Sequence, residues 1–370
     1  MADVHLDAPF SALSSFGGVA SERRIEQRLL FKKIIDLADE KSVDAILIAG
    51  DLFEHGYVSR ATISFLNERL NSVPHIKIFI SPGNHDPFVK NSYYSTFEWA
   101  PNVHIFKEKI ECINLDDLNA SIYGVGFNDF LLYDSNLKDF EIRDQNRINI
   151  MVTHGTVDTL AGPPGYHTIS ATQLEKSGLD YIALGHIHKF IRNLIRGKAC
   201  YCGSPVALGF DEPGKHGVVI GVIGKEQSDI EFIPIDIREY LTLEVDVTGC
   251  QNAQALVERV LENLVAIIEK SNYYKILVTG MVGEEILEEF DFIKRMLANS
   301  MEGYQIAINY KLLPEYEYEA IAAGNDLKSL FVKSFLEKIG QEHDDAEKER
   351  LRKALYIGLC ALDGRRVKPV

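Results

Sequence analysis

The spacing of apolar residues predicts helices alternating with short buried strands through the first two hundred positions. Between 21 and about 40, Ile25, Leu29, Leu30, Ile34 and Leu37 recur at helical intervals. The run Asp44-Ala45-Ile46-Leu47-Ile48-Ala49 follows and stops at Gly50-Asp51. A short, continuously apolar run of this kind reads as a strand of a parallel sheet covered on both faces. The pattern then repeats: a helix over about 60–71, and a strand over 76–80 that runs into Pro82-Gly83-Asn84-His85-Asp86. Strand 148–152 runs into Thr153-His154, and strand 181–184 into Gly185-His186-Ile187-His188. Polar residues thus recur just past the C-terminal ends of apolar strands, the edge where open α/β sheets bind ligands.

The texture changes after Gly203-Ser204-Pro205. Segments 218–222 and 230–235 read as a closing hairpin. Beyond 237, strand 241–247, helix 253–270, strand 275–279, helix 285–299 and strand 305–310 predict a small α+β domain. From 316 the chain is helical and charged, with Leu327, Leu330, Phe331, Ser334, Phe335 and Ile339 marking one apolar face and the charge run 342–353 a solvated one. The expected division is 1–237, 238–315 and 316–370.

Composition narrows the class. A chain of 370 residues exceeds the roughly 250–300 that one core supports, so an accessory domain is expected. With 46% apolar and 25% charged residues, wholesale disorder, collagen and coiled-coil rods are excluded. The longest apolar stretch, 217–224, is far short of the about 18 residues that span a bilayer, so no membrane role is expected. Nothing resembling a cleaved secretory signal opens the chain, whose first basic residue is Arg23. Five scattered cysteines argue against a disulfide framework and for a reducing, cytoplasmic setting. Cys200 and Cys202 share one strand face and are expected in the core. A net charge of −15 argues against a protein that coats nucleic acid, though bound divalent metals would add positive charge that a sequence count misses.

The candidate ligands are Asp3, His5, Asp51, Asn84, His154, His186 and His188. Imidazole, carboxylate and amide oxygen together suit manganese, iron or zinc. In extended backbone Asp3 and His5 point the same way and can reach one ion. His186 and His188 can each serve a different ion, and Asp51 has two oxygens with which to bridge. Two ions about 3.5–4 Å apart form a clamp for phosphoryl transfer. His85, beside Asn84, is free to protonate the leaving oxygen, with Asp86 holding its ring.

The set Asp3-x-His5, Gly50-Asp51, Gly83-Asn84-His85-Asp86, Thr153-His154 and Gly185-His186-x-His188 resembles the signature of calcineurin-like metallophosphoesterases. Asp3 to Phe10, Gly50-Asp51-Leu52-Phe53, Ala183 to Lys189 and Gly203-Ser204-Pro205 are similar to the SbcD/YhaO-type DNA repair exonuclease subunits. The resemblance implies a four-layer αββα core with a small α+β cap domain, and a dinuclear, manganese-preferring site. It places Asp3, His5, Asp51 and His188 on one ion, Asp51, Asn84, His154 and His186 on the other, and His85 as proton donor. It also implies cleavage of DNA phosphodiesters, an SMC-like ATPase partner and a possible homodimer. Two departures stand out. Some relatives have a phosphate-contacting histidine directly after Gly-Asp-Leu-Phe, where this chain has Glu54 and then His55. Relatives also carry a strand before Asp-x-His, so the natural chain is expected to begin upstream of Met1, and the ion served by Asp3 and His5 to be weak in the sequence as given.

Other features have blander readings. Lys189, Arg192, Arg196 and Lys198 mark either a phosphate track beside the cleft or a defended edge strand. His75, His104, His167, His216 and His343 are expected to be structural, and Asp7 is either a partner behind the ligands or a turn residue. Three functions fit: a DNA exonuclease or endonuclease working with an ATPase, a phosphodiesterase of small cyclic-nucleotide-like substrates, and a catalytically weak binding subunit.

Overall fold

The computed structural model describes residues 1–16, 18–131, 137, 140–160, 168–225, 227–265 and 267–364. Packing divides the chain into two units: 1–242 with 269–275 and 305–307, and 243–268 with 276–304 and 308–370.

The first unit opens with helix α1 (Val19–Glu40), strand β1 (Ala45–Ile48), helix α2 (Arg60–Asn71), strand β2 (Lys77–Ile80), the single turn α3 (Tyr93–Thr96) and strand β3 (Val103–Ile105). The three strands form a parallel sheet in that order. Next come β4 (Glu111–Leu115), β5 (Ala120–Gly124), β6 (Ile148–His154), the short parallel pair β7 (Thr156–Val157) and β8 (Thr168–Ile169), helix α4 (Ala171–Lys176), and β9 (Tyr181–Gly185), β10 (Ile191–Leu194) and β11 (Ala199–Tyr201). They build a six-stranded sheet of order β10-β11-β9-β6-β5-β4, parallel at its centre and antiparallel at both edges. A hairpin of β12 (Gly217–Ile223) and β13 (Ser228–Pro234) follows.

Strand alternation sets the layers. Ile46 and Ile48 face Phe31, Ile35, Ile63 and Leu66 of the two long helices. Ala45, Leu47 and Ala49 face the other way and meet Ile122, Ile150, Val152, Cys200 and Cys202 of the second sheet. That sheet's outer face, with Tyr123, Met151 and Ile182, packs on Leu174 of α4 and on Leu179. The result is helix, sheet, sheet, helix, with both cysteines in the layer between the sheets. A cavity of about 810 Å³ lies in that layer, lined by Ala45, Leu47, Ile148, Tyr181 and other apolar residues at the starts of the strands.

Helix α1 buries a different stripe from the one expected. Ile25 and Leu29 are 56% and 62% exposed, whereas Arg23 and Gln27 are fully buried beside Leu30, Phe31 and Ile34. Polar duties displaced the apolar pattern. The Arg23 guanidinium pairs with Asp236 and Glu26, and Gln27 Nε2 donates to the carbonyls of Val4 (3.0 Å) and His5 (2.9 Å).

The second unit takes in most of β14 (Tyr240–Asp246), helix α5 (Ala253–Val265), most of β15 (Tyr273–Val282), helices α6 (Glu284–Glu288) and α7 (Phe290–Ser300) and most of β16 (Gln305–Pro314). The strands form a sheet in the order β14-β15-β16, and α5 packs on α7. The single helix expected over 285–299 is two, parted at Glu289. Helices α8 (Tyr318–Ala322), α9 (Leu327–Gln341) and α10 (Asp345–Leu362) close round Val332, Leu355 and Leu359. Phe331, Phe335 and Ile339 are committed to that cluster. Leu327 and Leu330 stay 72% and 58% exposed, and Ser334 faces solvent, so the six residues do not share one face. The packed stripe runs through Val332 and Leu336 instead, one position round the helix.

Candidate metal centre

Four strands of the first unit end in candidate ligands. Asp51 follows β1, Asn84 to Asp86 follow β2, His154 is the last residue of β6, and His186 and His188 follow β9. Residues 1–6 lie along the same edge. The Met1 amine donates to Leu47 O, and Asp3, His5 and Leu6 N–H donate to the carbonyls of Gly50, Asp51 and Leu52 at 2.9–3.1 Å. Asp3 and His5 are buried. Backbone bonds and Gln27 therefore hold the N-terminal pair among the other ligand-type residues. The segment is not extended, since Asp3 and His5 have φ of +54° and +48°. Asp51 (+51°) and His186 (+100°) are also left-handed, a conformation costing about 1–3 kcal/mol for a non-glycine residue and concentrated at functional sites. Glycines make the close approach possible. A Cβ on Gly50 (φ +89°) would stand 2.4 Å from His154 Nδ1, and one on Gly83 2.3 Å from Asp51 Oδ1.

Three histidines have Nδ1 beside an oxygen and Nε2 turned to the site. His5 Nδ1–H donates to Glu54 Oε1 (2.8 Å), His188 Nδ1–H to Glu212 Oε1 (2.6 Å), and His154 Nδ1–H to Ala49 O (2.8 Å). This is the usual way a protein fixes the tautomer of a metal-binding imidazole. His5 Nε2 and His188 Nε2 then face each other at 3.1 Å. Two such nitrogens need a proton or a cation between or beside them. His154 Nε2 lies 3.0 Å from Asn84 Oδ1 and 3.3 Å from Asp51 Oδ2, while Asp51 Oδ2 is 3.8 Å from His5 Nε2. Asp51 Oδ1 accepts the His85 N–H at 2.8 Å. Asp51 therefore faces both sides through one oxygen, where the sequence reading used two.

Asp3, His5 and His188 bring ligand atoms within 4.8 Å of one another, as do Asp3, Asp51 and His154, and also His5, Asp51 and His85. His186 lies beside His154, with ring centroids 5.1 Å apart, and its N–H donates to both oxygens of Asp3 at 3.0 and 3.1 Å. The donor set of carboxylate, imidazole and amide oxygen fits divalent cations of the manganese, iron or zinc type. Burial and neighbouring charges shift the titrating groups of the site in both directions. Burial works against charge on His154 and His188, yet Asp51 beside the first and Glu212 and Asp3 beside the second raise both to about 9. Burial and the neighbouring His154 lower His186 to about 4. Burial raises Asp3, and despite its own burial Asp51 is held far below the usual carboxylate range by His154.

His85 has a different partner from the one expected. Asp86 is fully buried, and its carboxylate accepts from the N–H groups of Asp51 (3.0 Å), Leu52 (2.6 Å) and Gly83 (2.7 Å) and from Tyr94 OH (2.7 Å). With its oxygens so engaged it clamps two strand-end turns, and burial lifts it to about 6. The His85 ring donates instead from Nδ1 to Glu54 Oε2 at 3.0 Å. Glu54 sits directly after Gly-Asp-Leu-Phe, where its place in the motif could have drawn attention. Glu212 carries no local signal, and Gln27 shows only as a polar residue inside a helical repeat.

The remaining candidates are placed as follows. His55 N–H donates to His85 O, and its ring lies edge-on to Phe130 at 5.3 Å. Lys189 is exposed one residue past His188, and Arg192 is exposed on the edge strand β10. Arg196 pairs with Glu175, and Lys198 donates to Leu179 O. Asp7 accepts from Arg28, Ser59 N–H and Thr62 OH, which anchors it to α1 and α2. His75 and His104 pair with Asp39 and Glu111, and His216 bonds Ser204. His167 lies outside the described residues.

Ligand-type side chains thus gather at one edge of two facing sheets, and the family to which the chain belongs makes it a metal-dependent phosphoesterase. The chain belongs to the calcineurin-like phosphoesterase family, whose model matches residues 1–190, and members of that family bind two divalent metals. It is 28% identical over 299 residues to the uncharacterized metallophosphoesterase YhaO of Bacillus subtilis, covering 78% of this chain and 72% of that one. It is 24% identical over 248 residues to the DNA double-strand break repair protein Mre11 of Sulfolobus acidocaldarius (63% and 64% covered). It is 23% identical over 293 residues to the SbcD component of the SbcCD nuclease of Staphylococcus epidermidis (69% and 74% covered). No helix among the described residues is long and apolar enough to cross a membrane.

Proposed function

We propose that this chain is a DNA nuclease, hydrolysing phosphodiester bonds in DNA repair as the nuclease subunit of a cytoplasmic complex with an SMC-like ATPase. In this reading Asp3, His5, Asp51 and His188 hold one divalent cation and Asp51, Asn84, His154 and His186 the other, manganese being the first candidate. When bound, such a pair neutralises charge on the phosphoryl oxygens and activates a water. The chain supplies the rest. His85 is 46% exposed at its side chain, and with Nδ1 given to Glu54 its Nε2 is left to donate a proton to the leaving oxygen. Lys189, Arg192 and His55 are candidate contacts to the DNA backbone. The nuclease domain is 1–237, the cap 238–315 and a helical segment 316–370, and a homodimer belongs to the same reading.

The observation that carries it is the convergence of His5, His154 and His188, each with Nδ1 tied back and Nε2 turned toward Asp51 or toward another of these rings. The names of the Mre11 and SbcCD relatives support DNA over a smaller substrate. The test is purified protein with Mn²⁺ on labelled single- and double-stranded DNA, beside bis(p-nitrophenyl) phosphate. DNA cleavage abolished by chelator supports the proposal. Turnover of the small ester alone points to a small-substrate phosphodiesterase, and inactivity on both to a binding subunit.

A further inference from the structure

Glu54 touches two imidazoles that the proposed chemistry uses differently. One oxygen accepts from Nδ1–H of the candidate ligand His5 at 2.8 Å, the other from Nδ1–H of the candidate proton donor His85 at 3.0 Å. The rings lie edge to face, with centroids 4.8 Å apart and planes at 83°. The main chain that carries the carboxylate is itself anchored. Glu54 N–H donates to Leu6 O, and its C=O accepts from Tyr57 and Val58 N–H at 3.0 and 2.8 Å. Its side chain is only 14% exposed, so solvent offers little competition for the bond to buried His5, while the His85 ring remains 46% exposed. A carboxylate is acceptor-only and can receive one imidazole N–H at each of its two oxygens.

From this geometry we infer that Glu54 is a positioning residue that locks His5 and His85 together, holding a proton on Nδ1 of both rings so that Nε2 faces the reaction site, bare on His5 to meet a cation and protonated on His85 to donate. The inference rests on the reading of His85 as proton donor. It gives the glutamate a task different from that of a phosphate-contacting residue: Glu54 acts through two other side chains and repels phosphate if it meets it. Glutamine is the informative replacement. It offers one acceptor oxygen and one NH₂ donor, so it satisfies one ring and confronts the other with a second donor. Aspartate keeps both acceptors on a shorter stem.

The experiment compares wild type with E54Q, E54A and E54D. The substrates are a labelled DNA duplex, whose leaving sugar oxygen needs a proton, and thymidine 5′-(p-nitrophenyl phosphate), whose p-nitrophenolate does not. E54Q and E54A should lose roughly 10²-fold in kcat on DNA, the lower end for removing general acid catalysis, with KM for DNA within about threefold. On the p-nitrophenyl ester the loss should be under about tenfold, and Mn²⁺ affinity should fall roughly 10–100-fold, as for other partners of metal-binding histidines. E54D should recover part of the DNA activity. The double variant E54Q/H85A should lose no more DNA activity, relative to the ester, than H85A alone. A reading that needs no variant is ¹⁵N NMR of the wild-type imidazoles without metal, where His5 and His85 should both carry a proton on Nδ1 and His85 should lose its Nε2 proton first as pH rises. Equal kcat losses on the two substrates, unchanged Mn²⁺ affinity with wild-type kcat, or an Nδ1 without a proton at either ring would overturn the inference. Wild-type protein inactive on both substrates would instead defeat the proposed function and leave the tautomers to decide the role of Glu54.

Discussion

The two ends of the facing sheets of the first unit are built from the same strands and have opposite character. At the starts of β1, β6 and β9, Ala45, Ile148 and Tyr181 line a mostly apolar cavity that Asp44, Asp229 and Glu231 also border. At their far ends stand Asp51, His154 and His186. Strand interiors are interchangeable apolar packing, so the difference comes from the turns. Gly50, Gly83 and left-handed Asp3, His5, Asp51 and His186 bring polar side chains closer than regular backbone allows. One end should therefore govern turnover and the other stability, and substitutions at each can break or sharpen that division.

The largest expected effect is at the rim. Asp51→Asn removes the charge that faces both sides of the centre, so activity should be lost and both cations weakened. Elemental analysis after gel filtration checks this, and two tightly held ions in the variant would show that Asp51 is not shared. His85→Ala should lower turnover by roughly 10²–10⁴-fold while keeping both ions. Loss of an ion would make His85 a ligand, a role its place within 4.8 Å of His5 and Asp51 ligand atoms keeps in view. Neither substitution should lower Tm by more than a few degrees.

The apolar end should behave in reverse. Ile122 is 1% exposed and lines the cavity, so Ile122→Ala enlarges an existing void and should cost about 2–5 kcal/mol. Thermal unfolding should show a lower Tm while turnover per folded molecule at 25 °C stays within about twofold. A matching fall in turnover would mean the two ends are coupled.

The smallest effect asks whether polarity alone makes a residue functional. Glu26 lies away from the rim with Arg23 and Arg238. Burial works against its charge, but bonds from Arg238 and Arg23 hold its carboxyl below the usual 4.5. The stabilisation is then present above pH 4.5 and lost as pH falls through the lower folded value. Glu26→Gln should lower stability by about 1 kcal/mol at neutral pH, and the gap from wild type should close in acid, below the folded value. A gap independent of pH would remove the charge from the explanation.

Much of this contrast was legible from residue order alone. Asp51, Asn84, His154, His186 and His188 each follow an apolar run, and periodicity located β1, β2, β6 and β9 to within two residues at each end. Strands β3 (Val-His-Ile) and β10 (Ile-Arg-Asn-Leu) carry polar residues and so lack the continuous apolar run that marked β1 and β2, which are no longer than four residues themselves. The stripe of α1 was misread because its buried face carries Arg23 and Gln27, whose partners Asp236, Val4 and His5 are distant in sequence. The same reason hid Glu212, 24 residues past His188. Asp86 was assigned to its chain neighbour His85, whereas the turn geometry directs its oxygens at backbone N–H groups.

The most direct measurement is anomalous diffraction from crystals of the whole chain grown with Mn²⁺. Two manganese peaks should flank Asp51, one bonded to Asp3, His5 and His188 and the other to Asn84, His154 and His186, with His85 bonded to neither. A single peak, or one bonded to His85, would contradict the two-ion centre.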